Sequence, residues 1–121
     1  MANKQRLRRV ADQIQRELSA LVRTELKDPR VGLITLTGVE VSSDLAHAKV
    51  FYTTFGDAEV RHQTDEGLRR AAGFLRSLLG RRLQVHNTPE LHFMFDESVE
   101  RGMQLSQLID RAVSGRDSGE Q

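Results

Sequence analysis

Between Lys4 and Lys27 the apolar residues Leu7, Val10, Ile14, Leu18, Leu21 and Leu26 return at steps of three, four or five, which places them on one helix face. The pattern predicts a long amphipathic helix, with Asn3 as its N-cap and Pro29 as its stop, since the residue before a proline is driven out of helical geometry. The next stretch, VGLITLTGVEVSSDLAHAKVFYTTF, is rich in β-branched and aromatic residues and is divided by Ser42-Ser43-Asp44, as in a β-hairpin. Its first run changes parity: Ile34 and Leu36 keep one alternation, Val39 and Val41 the other. Gly38 lies at the change, so a bulge is predicted there. In the second run Ala46, Ala48, Val50 and Tyr52 form a small-residue face under a helix, and Lys49 turns to water.

Residues 58 to 83 resume helical spacing at Val60, Leu68, Ala71, Leu75, Leu78, Leu79 and Leu83, punctuated by Gly67, Gly73 and Gly80. An interior glycine weakens a helix by about 1 kcal/mol relative to alanine, so two helices or one kinked helix are expected. Thr88-Pro89 opens a third strand in which Leu91, Phe93 and Phe95 alternate with His92 and Met94. A last helix is expected over residues 98 to 113, followed by a disordered polar tail at 114 to 121. Three strands with helices on one face make a single α+β domain over residues 1 to 113.

Composition narrows the function. The chain has 121 residues and no cysteine, which excludes disulfides and thiolate chemistry and fits the cytosol. No apolar run is long enough to span a membrane, and no signal peptide is expected. GxGxxG and Walker A loops are absent, as is HExxH, and His47, His62, His86 and His92 show no ligand spacing. No metal or cofactor is therefore expected. Asp96, Glu97 and Glu100 cluster where a helix begins, where acids favour the dipole without any catalytic role.

The net charge of +1 conceals a strong asymmetry. Residues 1 to 30 carry eight basic side chains against four acids, residues 68 to 86 five arginines and no acid, and residues 89 to 121 seven acids against three arginines. Lys4, Arg6, Arg8 and Arg9 crowd the start of the first helix, where they oppose its dipole and one another. Arg69, Arg70, Arg76, Arg81 and Arg82 surround the expected helix interruption, where freed N–H groups could meet a phosphate. Together with Lys49 they form a candidate site for a nucleic-acid backbone rather than a solvated face. Aromatic residues make up only 5% of the chain, too few for extensive base stacking. Phe93 and Phe95 are assigned to the core, and Phe51 is left open.

Four blocks in order, DPRVG at 28 to 32, VEVSSDLAHAKVFYT at 39 to 53, AAGFLRSLLGRRL at 71 to 83 and PELHFMFDESVERGMQLSQLI at 89 to 109, resemble the bacterial ribosome-binding factor A family. The resemblance implies a type II KH-like domain of order α-β-β-α-kink-α-β-α. In place of the GxxG loop of RNA-binding KH domains it implies an Ala-x-Gly kink, matched by Ala71-Ala72-Gly73. It further implies a non-catalytic factor that binds 16S rRNA in the free 30S subunit near the 5′-terminal region; a monomer is the default expectation, with the oligomeric state left open. There such a factor assists late maturation and pre-16S rRNA processing, including in the cold, and cooperation with an assembly GTPase is left open. Two other readings stand beside it: a protein-interaction module docking a partner through the long first helix, and an RNA-processing enzyme using Asp96, Glu97 or Glu100.

Overall fold

The computed structural model describes residues 4–31, 33–83, 87–98 and 109. In chain order the elements are α1 (Lys4–Glu25), β1 (Ile34–Val41), β2 (His47–Thr54), α2 (Ala58–Leu83) and β3 (Glu90–Phe95). The Asn3 cap, most of the helix expected over 98–113 and the polar tail lie outside the described residues.

The strands form one sheet of order β1-β2-β3. β1 and β2 are antiparallel, and the register slips between Leu36 and Gly38, leaving Thr37 as the extra residue of a bulge. The slip keeps Leu36 and Val39 on the same side of the sheet despite their parity, as the alternation predicts. The turn is held by Asp44, whose carboxylate accepts from the Ser42 hydroxyl at 2.6 Å and from Ala46 N at 3.0 Å, while Leu45 takes a left-handed φ of 61°. These bonds hold the Asp44 carboxyl below its usual range. β3 lies parallel to β2, with α2 as the crossover between them.

One sheet face carries both helices. Leu36, Ala48, Val50, Tyr52, Leu91 and Phe93 meet Ile14, Leu18 and Leu21 of α1 and Leu68, Leu75 and Leu79 of α2 in a single core. Each fully buried side chain of this size contributes about 1.5–3 kcal/mol. The opposite face presents His47, Lys49, His92 and Met94 to solvent, with Phe51 half-buried among them. Phe95 joins the core edge-on to Tyr52, the ring centroids 5.8 Å apart.

α2 corrects one expectation. Helix passes through Ala71-Ala72-Gly73 without a break, which removes the two-helix alternative and any new N-terminus at that point and leaves the one-helix alternative. Packing overrides the local glycine penalty, because Leu68, Leu75 and Leu79 on either side are wholly buried. The helix begins on Asp57, whose carboxylate accepts from Val60 N at 3.0 Å, and ends with Arg81 and Arg82 in its last turn.

Candidate nucleic-acid interface

The loop between α1 and β1 sets how close α2 may come. Asp28 accepts from Arg30 N at 2.9 Å and Nε at 3.0 Å through one oxygen and from Nη2 at 2.6 Å through the other. That clamp, foremost its side-chain bonds, lowers the Asp28 carboxyl to about 2. The folded loop places Val31 against Gly67 of α2, where an added Cβ would stand 2.6 Å from Val31 Cγ2. Buried Thr64 donates to the Arg30 carbonyl at 3.3 Å and completes the seam. Gly80 similarly leaves room for the segment before β3, since a Cβ there would meet Thr88 Oγ1 at 2.6 Å.

Five of the ten basic candidates, Arg6, Arg9, Lys49, Arg69 and Arg76, distribute over three clefts. The first, about 610 Å³, runs along β3 and brings Lys49, Arg69 and Ala72 together with His47, Glu90, His92 and Met94. Arg69 is aimed by a chain of bonds: the Tyr52 hydroxyl donates to Asp65 Oδ1 at 3.1 Å, and Arg69 Nε donates to Asp65 Oδ2 at 2.7 Å. Burial, reinforced by the Asp65 charge, raises the Tyr52 phenol above its ordinary range, so it stays a neutral donor.

The second cleft, about 650 Å³, joins Arg6 of α1 to Arg76 of α2 across the 44–46 turn and residues 87–89. Arg76 is braced there by donating from Nε to the Thr88 carbonyl at 2.9 Å. The third lies along α1 and holds Arg9, Arg16 and Arg23. Their seven-residue spacing puts them on one stripe, a signal present in the sequence that extends the basic surface beyond Arg9 to Arg16 and Arg23.

The remaining candidates line none of these clefts. Lys4, Arg8, Arg70, Arg81 and Gly73 are exposed. Arg82 donates from Nη1 to Glu17 Oε2 at 3.1 Å and so ties α2 to α1. Arg81 and Arg82 sit at a helix C-terminus, where positive charge is favoured by the dipole without any ligand. The phosphate site expected from freed N–H groups at Ala71-Ala72-Gly73 has no helix start to supply them.

Of the carboxylate candidates, Asp96 is held by a local set of bonds. Asp96 accepts from Ser98 N at 2.9 Å and from the hydroxyls of Ser98 and Thr37, which lower its carboxyl below the ordinary range and make it a poor proton shuttle near neutrality. Glu100 lies outside the described residues. Sequence spacing could not show that His47 and His92 meet across β2 and β3, with Nδ1 and Nε2 at 3.0 Å and Glu90 beside them.

The comparisons with known proteins point one way. The family model described as ribosome-binding factor A matches residues 6–109. Ribosome-binding factor A of Nitrosospira multiformis is 62% identical over 106 residues, covering 88% of this chain and 84% of the relative. The crystal structure of the Thermus thermophilus factor is similar at a TM-score of 0.63 and 29% identity, covering 71% of this chain and 91% of that one. A homology model of the Thermus factor, fitted into a cryo-EM map of its 30S complex, is similar at a TM-score of 0.60 and 29% identity, over 72% and 91% of the two chains.

Proposed function

The chain belongs to the ribosome-binding factor A family, and from that premise we propose that it binds the free small ribosomal subunit by gripping the 16S rRNA backbone. The observation that carries this reading is the pairing of Arg6 with Arg76 in one cleft, which joins the two basic segments that lie far apart in the chain. Lys49 and Arg69 extend the positive surface along β3. Arginine forks suit phosphate oxygens, and such contacts bind without reading sequence.

We further propose, on the family's likeness, a type II KH-like domain that contacts the 5′-terminal region of 16S rRNA and assists late maturation and pre-16S processing, including at low temperature. In this reading the protein is a cytoplasmic monomer, acts without catalysis and leaves the subunit before translation. Cooperation with an assembly GTPase is a matter for reconstitution. The rival reading, a partner helix docked on α1, loses its motive because Ile14, Leu18 and Leu21 are already spent on the core.

Salt dependence tests the proposal. Neutralising about six phosphates of single-stranded RNA gives a slope of log K against log salt near about −4. A flat response, or equal affinity for free 30S subunits and intact ribosomes, defeats it.

A further inference from the structure

We propose that His47, Glu90 and His92 form a surface site for a divalent transition-metal ion, with Zn2+ the ion they suit best. His47 opens β2, and the parallel register sets it beside Glu90, with His92 two residues further along the same face of β3. His47 Nδ1 and His92 Nε2 stand 3.0 Å apart, and Glu90 Oε2 lies 3.9 Å from His47 Nδ1. All three ligand atoms fall within 4.8 Å of one another.

Two imidazoles and a carboxylate are ordinary zinc ligands at about 2.0–2.2 Å, and a tetrahedral ion holds two such nitrogens about 3.3 Å apart. The histidine pair is already within a few tenths of an ångström of that spacing. Glu90 must close the rest of the gap, and its exposed side chain has the torsional freedom to do so. The histidines are fixed in relation to each other by paired strands, a more rigid scaffold than a loop.

Without an ion, one ring donates an N–H to the other, which requires at least one neutral imidazole. A metal takes the place of that hydrogen bond, the donor ring's proton moving to its other nitrogen, and completes its shell with water. Lys49 and Arg69 line the same cleft and oppose a cation, so the site is expected to be weaker than a closed structural zinc centre.

Titration calorimetry of Zn2+ into the untagged full chain near neutral pH should show one saturable equivalent, accompanied by a rise in the thermal midpoint. Both should be lost in His47→Gln and in His92→Gln and weakened in Glu90→Gln. His62→Gln breaks the separate His62–Glu66 pair, 3.1 Å across, and should leave the equivalent in place. Zinc should also move the ring resonances of His47 and His92 in the unmodified protein, a readout independent of how any variant folds. Absence of saturable uptake, or uptake unchanged in the His47→Gln/His92→Gln double variant, overturns the assignment.

Discussion

Gly67 and Gly73 stand on the same helix under opposite constraints. A Cβ at Gly67 would press on Val31, whereas one at Gly73 would meet nothing within 4 Å. Gly67→Ala should therefore destabilise the protein by about 1–3 kcal/mol through overpacking, and Val31→Ala in the same chain should recover part of the loss in denaturant titrations. Gly73→Ala should instead stabilise it by about 1 kcal/mol. If RNA affinity falls while stability rises, Gly73 serves binding through the shape or pliancy of α2; unchanged affinity makes it a tolerated helix residue. The Asp28 clamp adds a pH signature. With its folded value near 2 against an ordinary 3.8, Asp28 contributes stability that is complete above about pH 4 and fades as pH falls towards 2. Asp28→Asn should flatten acid unfolding across that window, monitored by circular dichroism.

The five arginines between residues 68 and 86 divide by their position along α2. Arg81 and Arg82 complement its C-terminal dipole and, through Glu17, hold α1, so Arg81→Gln with Arg82→Gln should cost about 0.3–1 kcal/mol of stability. Arg69→Gln with Arg76→Gln removes one cation from each inter-element cleft. That pair should weaken RNA binding and reduce the salt slope by about 1.4, with a smaller effect on the melting temperature. The local elements were legible in the sequence: the spacing from Leu7 to Leu26 marked α1, and the parity change placed the bulge beside Gly38. The unbroken course of α2 was not, because Gly73 advertises a weak point while the burial of Leu68 and Leu75 around it is a tertiary effect. Nor were the clefts, since Arg6 finds Arg76, and His47 finds His92, only after the sheet has formed.

Taken whole, the molecule separates its tasks by face. One side of the sheet is closed by helices, and the basic clefts open where those helices meet the sheet's edge and turn. The near-neutral total charge is thus no guide to partners, since binding responds to local potential rather than to the sum. The parallel pairing of β2 with β3 has a temporal consequence as well. The backbone hydrogen bonds of the hairpin and of each helix close over short stretches of chain, whereas His47 meets Glu90 only after the chain has closed the long excursion through α2. β3 should then dock late in folding and open first in the native state. Its amides should exchange with deuterium faster than those of β2, so the strand that lines the cleft would also be the first part of the sheet to yield.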